Sequence, residues 1–314
     1  MKKYSIAILL PVLLAGLTAT ALLSAADSSQ KSPNFSKFVT IDVPWADSTV
    51  AAMGIGPSGD VVGMYLDGAN TRGFLLQNGV FRTIDFPDAN VVKTFACKIN
   101  AAGTIIGTVM TAGECPHCAP WLQGIFRAYT FKKDTYTSFT IPGAFYTWAY
   151  EINPRGDMVG EFQRNETNYP VHGFILKKGG DLTQVDFPEA VWSGIQGINA
   201  NGDYAGWGGD ISIATFHGYV VINGKLTRID VPGYAWTIAS GINDQGEVVG
   251  TSFDADFNGH GYFWSKGVRT SIEFPGAIGT ILNGINNRGD IAGEYVMVDP
   301  VTKVPKTHGF VLYR

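Results

Sequence analysis

I-N-N-R-G-D-I-A-G, residues 285–293, is the stretch that decides the fold, because close copies of it recur along the chain. The copies begin at Ile55, Ile99, Ile152, Ile198 and Ile242. Successive spacings are 44, 53, 46, 44 and 43 residues. A period of that size is typical of an array of small β units, as in propellers.

The composition agrees with many short strands joined by tight turns. The 314 residues are 45% hydrophobic and 16% charged, and they include 39 glycines. Alternating β-branched and aromatic runs recur after residue 30, whereas no apolar stripe at helical spacing is sustained. The formal net charge is −4, and this mild acidity argues against a nucleic-acid partner, which requires a basic face.

Residues 1–26 have the pattern of a secretory signal peptide. Lys2 and Lys3 precede an apolar run at 6–23, and the small triplet Ser24-Ala25-Ala26 follows. We expect cleavage after residue 26, a flexible lead-in at 27–35, and a secreted protein, extracellular or periplasmic, with no further membrane contact. The alternative is an uncleaved anchor, since residues 4–26 are long enough to span a bilayer.

Recurring elements predict four strands in each repeat, named A to D in chain order. Strand A ends at the repeat Ile, and strand B follows the Asn-x-x-Gly turn. Strand C begins at a Gly-aromatic pair such as Gly261-Tyr262, and strand D carries Ile-Asp-x-Pro, as at 229–232. Hairpins at Asn-x-x-Gly and at Asn78-Gly79 or Asn223-Gly224 favour antiparallel meanders. Residues 36–314 are therefore predicted to be one all-β domain, a six-bladed β-propeller.

The chain termini predict how the ring closes. The chain opens with a lone strand D at 38–43 and ends on a lone strand C at 308–313, so the N-terminal strand would complete the last blade. Such pairing removes an open sheet edge. A linear array is the alternative, but a solenoid needs caps that the sequence lacks.

The motifs also resemble a known family. The succession I-D-x-P-G-A, G-I-N-x-x-G-D-I-x-G-x-Y and His-[Ala/Gly]-Phe is similar to the HAF-repeat family of bacterial extracellular proteins, over residues 36–314. Here Gly stands for the middle Ala, and the first two repeats lack the His. The resemblance implies a secreted, propeller-like repeat protein and carries over no catalytic residue.

Connectivity separates two faces of the predicted propeller. The short A–B and C–D turns fall on one face, the bottom, and the B–C and D–A loops fall on the other, the top. The B–C loops vary in length, with extensions predicted at 108–127, 163–171, 207–216 and 297–307. Binding residues concentrate on loops held by a rigid scaffold, so the top is the candidate functional face.

Aromatic residues collect at this predicted top face. Rings with polar tips suit stacking on sugars or gripping a peptide. The predicted ligand-binding residues, with Trp121 in a neighbouring loop, are Trp45, Tyr146, Trp148, Trp192, Trp207 and Trp236. The alternative is that these rings wedge between blades, because Trp is commonly part-buried.

Two charged residues interrupt a row of glycines on strand A. The position before the repeat Ile is Gly in four repeats but Lys98 and Glu151 in the second and third. The sequence therefore predicts a charge pair lining the channel. The pair either fills the space that the glycines leave or acts as an acid/base or ligand clamp.

The tetrapeptide Cys115-Pro116-His117-Cys118 has the sequence of a disulfide oxidoreductase site. It lies in a loop, without the helix and βαβ setting that such a site needs. A local disulfide between Cys115 and Cys118 is predicted for an oxidising compartment, with active exchange or metal binding through His117 as alternatives. Cys97, on strand A, is expected to be a buried free thiol.

Two sets of polar residues occupy repeat positions and are expected to be structural. Four histidines should bond to backbone or to the repeat aspartates rather than form a catalytic or metal ring; they are His172, His217, His260 and His308. The acids after the turn glycine should brace the hairpin; they are Asp60, Asp157, Asp203, Glu247 and Asp290.

One loop begins like a calcium site. Asp254, Asp256 and Asn258 offer oxygen ligands at alternate positions, but Ser265 stands where the twelfth-position acid is expected. A polar hairpin turn is the alternative. The sequence contains no nucleophile motif such as G-x-S-x-G and no phosphate loop.

These features predict a secreted binding or scaffold module, monomeric and without a cofactor, whose partner is a glycan or an extracellular protein. The alternative is a hydrolase or lyase of extracellular polysaccharide that uses Glu151, Glu161 or Glu294. An enzyme would place two carboxyl groups about 5 to 10 Å apart in the central pocket. A binding module would show aromatics and amides there without a paired acid.

Overall fold

The computed structural model describes residues 34–113, 124–167, 169–210, 212 and 214–314. These residues form 24 β-strands and contain no α-helix. In these ranges no helix has the length and apolarity of a membrane span. The predicted signal segment 1–26, Trp121 and the cysteines Cys115 and Cys118 lie outside the described residues.

Strands A and B lie on either side of the Asn-x-x-Gly turns, as predicted. The strands A are β2 (Ser48–Ile55), β6 (Val91–Ile99), β10 (Ala144–Ile152), β14 (Trp192–Ile198), β18 (Trp236–Ile242) and β22 (Gly279–Ile285). The strands B are β3 (Val61–Asp67), β7 (Ile105–Thr111), β11 (Met158–Arg164), β15 (Tyr204–Asp210), β19 (Val248–Phe253) and β23 (Ile291–Val298).

Strands C and D complete the repeats. The strands C are β4 (Asn70–Gln77), β8 (Ile125–Lys132), β12 (His172–Leu176), β16 (Thr215–Ile222), β20 (Gly259–Ser265) and β24 (Pro305–Tyr313). The strands D are β5 (Val80–Ile84), β9 (Thr135–Phe139), β13 (Leu182–Val185), β17 (Lys225–Ile229), β21 (Val268–Ile272) and, at the N-terminal end, β1 (Lys37–Ile41).

The strands of each repeat pair antiparallel in chain order, which confirms the predicted meanders. In the fifth repeat β18 pairs with β19, β19 with β20, and β20 with β21. Strand β1 pairs antiparallel with β24, from Lys37 opposite Tyr313 to Ile41 opposite Gly309. Strands A of consecutive repeats contact one another, and β22 of the last repeat contacts β2 of the first.

The A–B turns are built as their sequence predicts. The turn glycines have φ between 69° and 93°, a region that strains other residues. In one such turn Asn199 Oδ1 accepts hydrogen bonds from the amides of Asn201 and Asp203, both at 2.9 Å. Asn199 Nδ2 donates to Asp203 Oδ2 and to the carbonyl of Asn243 in the next repeat, both at 3.0 Å.

The predicted bracing by turn acids is confirmed for four of the five acids and is wrong for Asp60. The turn asparagine donates to the acid four residues on in four repeats; these acids are Asp157, Asp203, Glu247 and Asp290. In the first repeat, where Gly56 replaces the asparagine, Asp60 instead accepts from Gln77 Nε2 at 3.0 Å.

A hydroxyl on strand A fixes each D–A crossover, a feature that the sequence reasoning did not use. Thr237 Oγ1 accepts from the amide of Val231, the residue before the Ile-Asp-x-Pro proline, at 3.2 Å. The same bond is made by Thr49, Thr94, Thr147, Ser193 and Thr280. Each bond ties strand D of one repeat to strand A of the next.

The hydrophobic core lies between neighbouring repeats. One cluster joins Val62 and Ile84 of the first repeat to Ile99 and Tyr129 of the second. The glycine of strand B permits this close packing. A Cβ on Gly107 would overlap the carbonyl oxygen of Phe95 and lie within 2.8 Å of the Tyr129 ring.

Two predicted top loops are shorter than expected. The loop predicted at 207–216 is mostly strand, because β15 continues to Asp210 and pairs with β16 from Thr215. Its glycines mark close packing instead of a turn: a Cβ on Gly208 would lie 2.9 Å from Phe187 and 3.0 Å from Ala190. The loop predicted at 297–307 is reduced to 299–304, since β24 begins at Pro305.

Candidate functional site

A small central cavity is lined by one residue from every strand A. Each strand A carries a β-bulge two residues before the repeat Ile, and the bulged residues are Met53, Cys97, Tyr150, Gln196, Ser240 and Asn283. All of them line a cavity of about 30 Å³. A bulge leaves its extra residue unpaired and re-aims the side chain. The repeated bulge therefore directs one side chain of each strand A into a small chamber at the centre of the described structure.

Lys98 and Glu151 form the predicted charge pair beside this cavity. Lys98 Nζ lies 3.2 Å from Glu151 Oε2 and donates to the carbonyl oxygen of Asn283 at 3.0 Å. Lys98 also lines the cavity. Burial raises the pKa of Glu151 despite the opposing effect of the Lys98 ammonium. The pair spans the space beside the strand A glycines, since Lys98 Nζ lies where a Cβ on Gly284 would go.

At the strand A position two residues before the bulge, four repeats carry a large side chain near the centre of the structure. The rings of Phe95 and Trp148 pack at a tilt of 36° with centroids 4.8 Å apart, and both side chains are buried. Ile238 and Ile281 lie at the equivalent positions and border the cavity. The cavity has room for about two water molecules and is far below the several hundred Å³ of a typical ligand pocket.

The acids Glu161 and Glu294 occupy equivalent positions on strands B and are both buried. Burial raises the pKa of Glu161 to about 7, although the Tyr146 hydroxyl, which donates to Oε1 at 2.7 Å, acts to lower it. Burial alone raises the pKa of Glu294 to about 8. Neither acid lines the central cavity.

Glu161 lies beside a strand A position that has no side chain in the fourth repeat. Gly194 stands at the position that is Trp148 in the preceding repeat. A Cβ on Gly194 would lie 2.6 Å from Glu161 Oε2 and 2.7 Å from Trp207 Nε1. Neither atom has a hydrogen-bond partner among the described residues. Because Glu161 Oε2 is buried without a hydrogen-bond partner among the described residues, ionising this carboxyl is costly.

Most of the predicted ligand-binding aromatics are buried. Tyr146, Trp148 and Trp236 are between 5% and 7% exposed, and Trp207 is fully buried. They pack between repeats, as when Trp236 meets Phe216 of the preceding repeat with centroids 4.7 Å apart. The alternative that these rings pack between repeats describes these four residues.

Trp45 and Trp192 retain accessible surface. Trp45 follows β1 on the top face and is 55% exposed, with its ring edge-on to Tyr65 and Phe81. Trp192, at the start of β14, is part-buried against the cluster of Trp207 and Trp236. The ligand-binding role stays a prediction, and Trp45 is the residue that offers a ring face for it.

Cys97 is a buried free thiol, as expected. Burial raises its pKa to about 12, which removes the thiolate needed for redox chemistry. The Cys115–Cys118 disulfide stays a prediction.

The candidate calcium loop is organised by its own hydrogen bonds. Asp254 Oδ1 accepts from the amides of Asp256 and Asn258, at 2.9 and 2.8 Å. Asp254 Oδ2 accepts from Asn258 Nδ2 at 3.0 Å. In the described residues no group of three or more His, Cys, Asp or Glu side chains could hold a metal ion. The polar hairpin alternative accounts for these contacts, and calcium binding stays a prediction.

The four repeat histidines bond to the acid of the Ile-Asp-x-Pro motif, which confirms their predicted role. Nδ1 of His172 and His217 lies 2.7 Å from Asp186 and Asp230. The equivalent pairs are His260 with Glu273 and His308 with Asp42. The last pair joins strand C at the C-terminal end to strand D at the N-terminal end.

Comparisons with known proteins bear on the fold. A scan against protein-family models and a search of curated proteins each found no match. Two solved acylaminoacyl peptidases resemble the chain, one bound to Z-Gly-Gly-Phe-chloromethyl ketone (TM-score 0.52, 11% identity, 83% of this chain) and one from Pyrococcus horikoshii (TM-score 0.51, 12% identity, 82% of this chain). This chain spans 43% of each peptidase, well under half of its length.

A third match is the β-propeller domain of the Trilobed protease from Pyrococcus furiosus, with a TM-score of 0.49, 11% identity and 83% and 78% of the two chains covered. The structures that the chain resembles are β-propeller proteins. The described strands themselves, which form repeated four-stranded antiparallel meanders, make this an all-β protein of the β-propeller class. At these identities the likeness concerns the fold alone.

The cavity-lining positions were missed in the sequence, although a signal for them exists. The residues two before the repeat Ile share one register but no chemical type, ranging from Met53 to Tyr150 and Asn283. A search for a shared residue type passes over such a set. Aligning the repeats and reading each column for position would have found it.

Proposed function

We propose that this protein is a secreted, six-bladed β-propeller that acts as a binding or scaffold module, with the N-terminal strand completing the last blade. Pairing of β1 with β24 and contact of β22 with β2 support this closure. Membership of the HAF-repeat family, an extracellular or periplasmic location, a monomeric state and a Cys115–Cys118 disulfide belong to the same proposal.

The residues that line the central cavity favour a binding module over an enzyme. The lining contains Tyr150 and the amides of Gln196 and Asn283, and its one charged residue, Lys98, has Glu151 as its partner. A pair of acids is not part of this lining. Since a cavity of about 30 Å³ is too small for a sugar, recognition is assigned to the top loops. The proposed ligand is a glycan or another extracellular protein, and Trp45 is the proposed contact.

A glycan-array screen with matched variants tests this proposal. Trp45→Ala should abolish retention, whereas Tyr313→Ala, at the bottom end of β24 and 38% exposed, should leave it intact. If the unmodified protein were retained on no glycan, the sugar ligand would be rejected and the protein ligand would be left. Equal losses in both variants would reject the top face.

The second candidate is a polysaccharide hydrolase or lyase, which the raised pKa values of Glu161 and Glu294 favour. An assay on mixed polysaccharides tests it. Turnover that disappears in Glu161→Gln or Glu294→Gln, with folding retained, would replace the binding module by the enzyme.

A further inference from the structure

A basic residue, Arg or His, precedes the Gly-aromatic pair of strand C in the first repeat as well as in the last four. Arg72 holds this position in the first repeat and forms an ion pair with Asp85 of strand D. The four histidines make the same contact with their own strand D acids. The contact between strand C and strand D is therefore common to these repeats, whereas the charge of the cation is permanent only in the arginine.

Three of these basic residues also contact a second acid, which comes from the top-face B–C connection. Arg72 Nε lies 2.6 Å from Asp67 Oδ2. His172 Nε2 lies 3.2 Å from Glu166 Oε2, and His260 Nε2 lies 3.3 Å from Asp254 Oδ2. In both histidine cases the second acid precedes the histidine by six residues. Among the described residues, His217 contacts a single acid, Asp230.

The loop in the fifth repeat depends on the acid that His260 holds. The Asp254 carboxylate accepts both loop amides, those of Asp256 and Asn258, as well as the Asn258 side chain. Burial acts to raise the pKa of Asp254, but the bonds from Asn258, His260 and Asp256 outweigh burial and lower it. The Asp254 carboxylate is thus the common acceptor of these loop hydrogen bonds. His260 links it to strand D, because its Nδ1 lies 3.2 Å from Glu273 Oε1.

The chemistry of imidazole makes this tie dependent on protonation. Both ring nitrogens can donate hydrogen bonds only when both carry protons. In the neutral ring one nitrogen presents a lone pair to a carboxylate oxygen, and that contact becomes repulsive. Arginine keeps its charge, so the equivalent tie in the first repeat does not change with pH.

We propose that His260 is a pH-dependent latch that fastens the top-face B–C loop of the fifth repeat to strand D in its doubly protonated form. The acids that face the His260 ring are Asp254 and Glu273. Other ionisable groups nearby are Tyr234, whose ring centroid lies 5.2 Å from that of His260, and Arg269, whose charge acts to lower the pKa of Tyr234.

The latch itself does not depend on a ligand, whereas its consequence for recognition rests on the proposed function. A loop that is fastened in mildly acidic surroundings would be preorganised, and preorganised loops bind with a smaller entropic cost. At higher pH the same loop would bind more weakly.

Hydrogen exchange of the backbone amides of Asp256 and Asn258 tests the latch in the full chain without ligand. After correction for intrinsic rates, protection should fall roughly two- to fivefold between about pH 5.5 and pH 8, the factor expected for a partly exposed ion pair. His260→Arg, which copies the first repeat, should keep the protection at both pH values. His260→Gln, which cannot gain a charge, should show low protection at both.

His217→Arg is the matched control, because it changes a singly paired histidine and should leave the pH dependence of the 254–258 loop intact. Equal protection at both pH values in the unmodified protein would overturn the latch, as would a pH dependence that survives in His260→Arg. Failure to bind any glycan would leave these exchange results unchanged, so the latch and the proposed function fail separately.

Discussion

Asn286 Nδ2 donates a hydrogen bond to the backbone carbonyl of Gly56 at 3.2 Å, across 230 residues of sequence. The same bond joins consecutive repeats elsewhere: Asn100 to Asn153, Asn153 to Asn199, Asn199 to Asn243, and Asn243 to Asn286. The bond from Asn286 continues this series from the last repeat to the first. Gly56 has no amide side chain, so the first repeat receives a bond but cannot pass one on.

Removal of this link should destabilise the protein. Asn286 is 4% exposed, and Asn286→Ala would leave the Gly56 carbonyl and the turn amides of Arg288 and Asp290 without their partner. We expect a loss of about 1 to 3 kcal/mol in the free energy of unfolding, measured by denaturant titration. Asn287→Ala, at the exposed neighbouring position, should cost less than half of that loss, and equal losses would contradict the role of the buried link.

The turns and strand order could be predicted from the sequence because local chemistry determines them. Gly289 requires a positive φ that the Asn-x-x-Gly pattern announces, and Asn223-Gly224 adopts the hairpin conformation that its sequence favours. The pairing of His217 with Asp230 followed from one repeated position facing another. Each of these contacts joins residues at most fourteen apart in the chain.

The depth of the aromatic side chains could not be predicted in this way. Trp207 follows a glycine and precedes two more, a composition that indicates a loop, yet it is fully buried. Its burial results from Glu161 of the preceding repeat and from the close approach of Gly194, which only the packed repeats reveal. Likewise, the contact of Lys98 with the Asn283 carbonyl spans 185 residues and has no sequence signature.

The docking of β1 predicts a second effect on stability. The Phe38 ring packs edge-on against Phe274 and Phe310, with centroids 5.0 and 5.2 Å away. Phe38→Ala should lower the free energy of unfolding by roughly 2 kcal/mol, about half of the loss for a fully buried ring. Thermal unfolding measures this loss. Val80→Ala, at a strand D position that is 67% exposed, is the control, and a similar shift for both would show that β1 contributes nothing specific.

Glu161 should make the protein less stable as the pH rises. Its pKa is about 7 in the folded state against an ordinary value of 4.5. Between these values the unfolded chain releases the proton and the folded protein keeps it, so the unfolded state gains stability with increasing pH. The loss begins near pH 4.5, is complete near pH 7, and amounts to about 3 kcal/mol.

Glu161→Gln should make this part of the stability curve less steep, measured by denaturant titration at several pH values, while Glu294, whose pKa is raised to about 8, keeps a slope of the same sign. The variant should therefore be more stable than the unmodified protein at about pH 8 and nearly equal to it at about pH 4. Glu189→Gln, at an exposed position, should leave the curve unchanged. A curve for Glu161→Gln that parallels that of the unmodified protein would show that Glu161 ionises freely in the folded state.

For the ion pair beside the central cavity, loss of one charge should destabilise the protein more than loss of both. Lys98→Met would leave the Glu151 carboxylate, whose side chain is 15% exposed, without its cation. Breaking a buried pair in this way typically costs about 3 to 5 kcal/mol, whereas replacing both charges is often nearly neutral. Denaturant titration should therefore show a large loss for Lys98→Met and recovery of most of it when Glu151→Gln is added.

The uncharged double variant is the control, because it keeps the substituted side chain and removes only the unpaired charge. If the second substitution restored nothing, the Lys98 side chain would act through its packing and its bond to Asn283, and the charge of Glu151 would be irrelevant to stability.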